Sequence, residues 1–297
     1  MRRRQFLGSC AASVFIAPGL TAPAFASKTQ PGALPDAAQP PFPLSVMLWT
    51  VRRDLPFDQR LEIVAQAGYH AAELVGEFKD WTKEDYARVR KQREALGIAF
   101  DATSGISSSL VDPAQRDALL KEIQAHLVRM EELQCNKLIL LSGNRVDGLS
   151  HSQMHANCVE ALKAAADLAA AKNVEVLIEN IDPEENPKYF LTSVAEGFDV
   201  VRETGRGNVK FLYDFFHEQI AEGNLIEKLE KNIDVVGLVH IADVPGRHEP
   251  GTGEINYSNI FRKLRELNYH HYAAMEFIST GDTVASLRAA RELVASA

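Results

Sequence analysis

The chain reads as an α/β protein built as one (β/α)8 barrel, and three observations predict this. Eight short, β-rich apolar runs alternate with eight helical patterns from residue 44 to the end. The runs are apolar almost throughout rather than alternating, which marks strands covered on both faces, hence parallel strands with helical crossovers. About 250 residues hold the eight pairs, the size of a single barrel of this kind. A doubly wound open sheet would announce itself with a glycine-rich first turn. Here the first turn is Trp49-Thr50-Val51-Arg52-Arg53, without glycine.

In order, a first strand at 45–50 leads to a helix at 57–68, which Gly68 closes. A strand at 71–75 precedes a helix at 83–96, with Thr82 at the N-cap position and Gly97 behind it. The third strand, 98–102, is followed by a helix at 114–134, where Leu119, Ile123, Leu127, Met130 and Leu133 recur at helical spacing. The fourth strand, 137–142, precedes a helix at 152–172 that Ser150 caps, and the fifth, 174–179, precedes a helix at 192–204 that Gly205 stops. Strands at 209–214, 235–242 and 272–277 then pair with helices at 222–232, 257–267 and 282–295.

Ahead of the barrel, residues 1–26 read as an address. Arg2-Arg3-Arg4-Gln5-Phe6-Leu7 opens an apolar run from Cys10 to Ile16, and Ala24-Phe25-Ala26 ends a stretch of small residues. A charged region, an apolar region and an A-x-A site in that order mark a signal peptide. The paired arginines followed by Phe-Leu are those of a twin-arginine signal, so the export machinery for folded cargo is an expected partner and the periplasm or exterior the expected location. Residues 27–43 carry Pro31, Pro35, Pro40, Pro41 and Pro43 and are expected to form a linker, leaving 44–297 for the barrel. No other segment reaches the ~18 apolar residues of a membrane span, so no stable membrane anchor is expected.

The net charge is −8, and without Arg2, Arg3 and Arg4 the balance is 29 basic against 40 acidic side chains, or −11. Such a surface repels a phosphate backbone, which argues against nucleic-acid binding. Cys135 and Cys158 remain after the signal; two cysteines among apolar neighbours read as buried thiols rather than a disulfide framework.

In a barrel, chemistry sits where the strands end. The fifth strand ends Leu177-Ile178-Glu179-Asn180 and the sixth ends Tyr213-Asp214, with His217 three residues on. The seventh ends Val239-His240-Ile241-Ala242-Asp243 and the eighth Met275-Glu276. Four successive strands thus deliver Glu179, Asp214, His240 and Glu276 to one rim. Three crowded carboxylates repel unless a cation compensates them, and with one imidazole they form an oxygen-rich site suited to Mn²⁺ or Mg²⁺, with Co²⁺ or Zn²⁺ as alternatives. The loop from Asp243 to Tyr257 is punctuated by Pro245, Gly246, Pro250, Gly251 and Gly253 and carries Arg247 beside this rim, placed to clamp an anion or a hydroxyl. Trp49, Glu73, Glu77, Trp81 and Glu185 fall near the same rim.

These motifs, Ile178-Glu179-Asn180, the D-x-x-H from Asp214 to His217, and His240 through Pro-Gly-Arg-His-Glu-Pro-Gly-Thr-Gly-Glu-Ile-Asn to Tyr257, resemble those of the xylose-isomerase-like TIM-barrel superfamily, most closely its hydroxypyruvate isomerase branch. The resemblance spans residues 44–280. It implies that Glu179, Asp214, His240 and Glu276 bind one divalent metal ion and that Glu179 and Glu276 are the catalytic acid/base pair. It also implies that His217 and Arg247 bind substrate, and that the barrel pairs as a homodimer, as barrels of this branch often do. The implied substrate is a small keto acid or keto-sugar, and the implied reaction interconverts an aldose/ketose-type pair through an enediolate, with hydroxypyruvate and tartronate semialdehyde as the first candidates. An exported keto-sugar epimerase, a hydrolase or lyase of oxidised glycosides, and a non-catalytic sugar-binding barrel are alternatives on the same site. The abasic-site endonuclease branch would carry histidines where strands two and three read Glu73-Leu-Val-Gly76 and Asp101-Ala-Thr-Ser104.

Overall fold

A computed structural model describes residues 39–297. The expected signal segment (1–26) and residues 27–38 of the expected linker lie outside the described residues. Eight strands, β1 (Leu44–Met47), β2 (Ala71–Val75), β3 (Ala99–Ser104), β4 (Lys137–Leu141), β5 (Glu175–Glu179), β6 (Val209–Asp214), β7 (Val236–Ile241) and β8 (Ala273–Met275), close in sequence order into a parallel barrel, β1 pairing with β8. The crossovers carry α1 (Phe57–Gln66), α2 (Lys83–Leu96), α3 (Arg116–Leu133), α4 (His151–Ala170), α5 (Val194–Thr204), α6 (Phe215–Ala221), α7 (Leu225–Asn232) and α8 (Tyr257–Glu266), and α9 (Thr283–Ser296) follows β8.

The terminal signals act as read from the sequence. Thr82 and Ser150 each form a capping box with the residue three positions on, and Gly97 and Gly205 take the left-handed conformation that ends α2 and α5. Ala102, Ile139, Leu177, Leu212, Leu238 and Ala274 fill the barrel interior, while the larger core lies between sheet and helices. Phe42, at the end of the expected linker, is buried edge-on against Tyr269 at 5.7 Å.

Among the described residues one α-helix lies outside the sequence expectation, and the expected first strand ends at Met47, where a 3-10 turn (Leu48–Thr50) takes over. α6 was not expected because seven residues are too few to display a period; Asp214 starts it by accepting the Phe216 N–H at 2.7 Å, and Phe215 and Phe216 bury its face. His217 therefore stands on a helix rather than a loop, directly beyond β6.

Candidate metal and substrate site

The inward side of each strand is fixed by pairing. Ile139 and Leu177 pair and face the interior, so Leu141 and Glu179, two residues further on and also paired, face the mouth. Asp214 pairs with His240 in the same way. The structure brings all four expected ligands together: one ligating atom from each of Glu179, Asp214, His240 and Glu276 lies within 4.8 Å of the others, and all four residues are buried.

His240 Nδ1 stands 2.6 Å from Glu276 Oε2 and 3.6 Å from Glu179 Oε1. Yet His240 Nδ1 and Glu276 Oε2 lack the geometry of a hydrogen bond to one another, and Glu276 Oε2 is met otherwise only by the Arg247 guanidinium. Buried polar atoms are ordinarily paired. Two that converge without the geometry of a hydrogen bond are placed to share a cation, and the donor set of three carboxylates and one imidazole fits a divalent metal.

His240 is aimed by a residue to which the sequence reading gave no role. Glu73, fully buried on β2, faces His240 Nε2 at 3.1 Å through Oε2, which turns Nδ1 toward the carboxylates. The sequence held a signal for it: a carboxylate in the middle of the apolar run Ala71-Ala-Glu-Leu-Val75 must have a partner.

Arg247 and His217 complete the site. Arg247 Nη2 lies 2.7 Å from Glu276 Oε2 and 3.2 Å from Asp214 Oδ2, and its Nη1 donates to Glu185 at 2.9 Å. The guanidinium packs 4.8 Å from the Phe216 ring and 5.7 Å from Trp49. Trp49 in turn donates its indole N–H to Glu276 Oε1 at 2.9 Å. His217 Nδ1 bonds Asp182 at 2.7 Å, and its Nε2 lies 3.4 Å from Arg247 Nη1.

Two aspartates hold these cations in place. Asp182 accepts the N–H groups of Glu184 and Glu185 with one oxygen and holds His217 with the other. Asp243 accepts four backbone N–H groups, from Val244, Gly251, Gly253 and Ile255, and so pins the loop that carries Arg247. Arg247 itself has a φ of +56°, uncommon for a non-glycine residue and sustained here by its buried contacts. The sequence signal for both aspartates was weak, since their partners are backbone groups fixed only by the folded loops.

The environments separate the two glutamates. Burial pushes Glu179 above the usual carboxylate range, against the attraction of the neighbouring His240. Burial also opposes ionisation of Glu276, but the charges of Arg247 and His240 outweigh it and hold this carboxyl well below that range. Burial opposes charge on His217 too; the charge of Asp214 and the bond to Asp182 prevail and raise it to about 9. The other rim residues lie apart: Glu77 pairs with Arg60, and Trp81 sits among Phe57, Phe78 and Tyr86.

Comparison with known proteins agrees with this fold. The family described as xylose isomerase-like TIM barrel matches residues 61–296. Hydroxypyruvate isomerase of Escherichia coli K12 is 30% identical over 237 residues, covering 78% of this chain and 92% of that protein. A 2-oxo-tetronate isomerase of Haemophilus influenzae is 28% identical over 239 residues, covering 79% and 92%. Among solved structures, one described as an AP endonuclease, family 2, from Brucella melitensis superposes with a TM-score of 0.76 at 25% identity, covering 84% of this chain and 97% of that one.

Proposed function

The chain belongs to the xylose isomerase-like TIM-barrel family and is an isomerase, and from that premise we propose that it moves the carbonyl of a short hydroxy-keto acid to the neighbouring carbon, with hydroxypyruvate and tartronate semialdehyde as the pair. The observation that carries this reading is the contact between Arg247 and His217 at the edge of the four-ligand cluster. Two cationic groups side by side match a carboxylate, and the cluster beside them matches the carbonyl and hydroxyl of the adjoining carbons.

Glu179, Asp214, His240 and Glu276 hold the metal ion, Mn²⁺ or Mg²⁺ by donor type. When bound, a divalent ion supplies Lewis-acid stabilisation of the negative charge that develops on the substrate oxygens. Arg247 and His217 fix the carboxylate end and turn the hydroxymethyl carbon toward the glutamates. Glu276, held ionised, accepts a proton from that carbon to give an enediolate. Glu179, held toward its acid form, delivers a proton to the former carbonyl carbon, and the hydroxyl proton passes between the two oxygens. A pair of carboxyl groups whose surroundings push their acidities apart is the usual basis of such a division of labour. Burial of the whole set limits competing exchange with water. The signal-like residues 1–26 support a location outside the cytoplasm, with the metal loaded before folded export.

Deuterium uptake tests the reading. Purified protein with about one equivalent of metal should catalyse solvent deuterium incorporation into hydroxypyruvate and its conversion to tartronate semialdehyde; Glu276→Gln should abolish both, and Glu179→Gln should abolish the conversion. Label entering a keto-sugar at the stereocentre beside its carbonyl, with inversion there and no movement of the carbonyl, would identify an epimerase. Bound metal with no exchange into any keto acid would defeat the proposal.

A further inference from the structure

A second hollow lies outside the isomerase site, between α3 and the loops that follow β2 and β3. Its volume is about 450 Å³, and none of the residues that line it belongs to the four-ligand cluster. α3 presents Lys121, Ala125 and Arg129 to it, each one turn from the next, with His126 beside them. The small Ala125 keeps the space between the two cations open. Lys79 enters from the loop after β2. Its stem lies across Gly76 and Gly105, so close that a Cβ on either glycine would stand 3.1 or 3.2 Å from Cε. Both glycines take positive φ, +73° and +120°, and together they form the bed on which the lysine rests.

The charges of this hollow are unbalanced. Glu122, in its wall, is already occupied: its carboxylate accepts the Ser107 N–H at 2.9 Å, the Ser107 hydroxyl at 2.8 Å and the Ser108 N–H at 3.1 Å. Asp80, the other carboxylate of the lining, is exposed. Lys79, Lys121 and Arg129 have no ion-pair partner among the described residues. His126 adds a donor from below the surface. It is 2% exposed, and its Nε2 stands 3.0 Å from Thr103 Oγ1. Burial, followed by the charges of Arg129 and Lys79, keeps the ring neutral. With the Thr103 hydroxyl donating to Nε2, the proton sits on Nδ1, which has no partner among the described residues. Buried donors ordinarily have a partner.

We propose that this hollow binds a phosphate group, as the free ion or at the end of a small organic molecule. Three cations and one imidazole N–H suit a tetrahedral dianion, which offers oxygens in every direction; a carboxylate offers two in one plane. The cavity is larger than a bare phosphate needs and falls within the range of small-molecule sites, so a few carbons can accompany the group. At physiological salt, charges beyond about 8 Å are screened. The overall negative charge that repels a nucleic-acid backbone therefore leaves a single ion in this hollow to its immediate cations. The site stands apart from the isomerase centre and does not depend on the reaction assigned there.

Inorganic phosphate is the first probe. Titrated into the Mg²⁺-loaded protein, it should shift the imidazole NMR signals of His126 and leave those of His217 and His240 in place, with half-saturation at or below about 1 mM. Lys121→Gln combined with Arg129→Gln should weaken that binding at least about tenfold. Arg247→Met, which removes the cation of the isomerase site, should leave it within about twofold, as for groups that share no partner. Acetate should not displace the phosphate. Glycerol 3-phosphate should bind in the same place: a tighter hold than on the free ion identifies a phosphomonoester as the ligand, and an equal or weaker one identifies the ion itself. Shifts at His217 or His240 in place of His126 would overturn the proposal, because the ion would then sit at the isomerase site. So would displacement by acetate, binding that survives the loss of Lys121 and Arg129, or an affinity weaker than about 10 mM.

Discussion

Replacing Glu73 by leucine should weaken metal binding without touching a ligand. In the structure Glu73 makes one contact with the site, Oε2 to His240 Nε2 at 3.1 Å, while its other oxygen finds no partner. A hydrogen bond to a charged group is worth about 1.5–3 kcal/mol, and every 1.4 kcal/mol is tenfold in affinity. Loss of the bond therefore predicts about a tenfold to hundredfold weaker metal site, in line with the usual cost of losing the partner of a ligating histidine. Stability should move the opposite way. Burial raises Glu73 to about 8, against the charge of His240 and their hydrogen bond. A carboxyl whose folded pKa lies above its unfolded value loses stability as pH rises from about 4.5 to about 8. The chelated Glu73→Leu protein should accordingly resist urea better than chelated wild type at pH 8, and the difference should shrink toward pH 5. Competition with a chelating dye measures the first effect and urea melts the second. An unchanged metal affinity, or a parallel fall in affinity and stability, would refute the idea that Glu73 exists to aim His240.

Arg247→Met removes the cation that touches Glu276 and Asp214 and leaves buried carboxylates uncompensated, at a cost of about 3–5 kcal/mol. Thermal melts of chelated protein should show it as a loss of at least about 6 °C, and added Mn²⁺ should restore most of it; equal losses with and without metal would argue that Arg247 and the metal do not share these carboxylates. His126 is buried against Thr103 and Phe78 and lowered to about 4, chiefly by burial. Its contribution is therefore complete above about pH 6.5 and is lost as pH falls toward 4, amounting to about 2 kcal/mol between pH 7 and pH 5. Urea titrations of His126→Gln should show an acid limb flatter by that amount. A Cβ on Gly253 would meet the Val244 carbonyl oxygen at 2.0 Å and Asp243 Oδ1 at 2.6 Å. Gly253→Ala should therefore loosen the loop that holds Arg247 and raise KM several-fold with little change in metal affinity, which steady-state kinetics and dye competition separate.

Local pattern in the chain is enough to specify the barrel and the four polar residues that cluster at its mouth. Apolar runs such as Val174-Glu-Val-Leu-Ile178 specify strands buried on both faces whatever their neighbours, and the polar residue that ends each run falls at the mouth once the strands are parallel. Glu179, Asp214, His240 and Glu276 were legible for that reason, as was Arg247 from its glycine- and proline-bounded loop. Tertiary structure alone decided the rest. Glu73 and His240 stand 167 positions apart in the chain and meet only because β2 and β7 face one barrel interior. Asp182 and Asp243 act on backbone N–H groups, which every residue carries and no pattern singles out. Helix α6 is started by the side chain of Asp214 and held by burial of Phe215 and Phe216, so its seven residues needed the core before they could be read as a helix. The exposure of Leu141 is a matter of closure: a leucine at the end of an apolar run reads as core, and only the barrel's curvature, which turns that rung toward the open mouth beside Glu179, leaves it exposed.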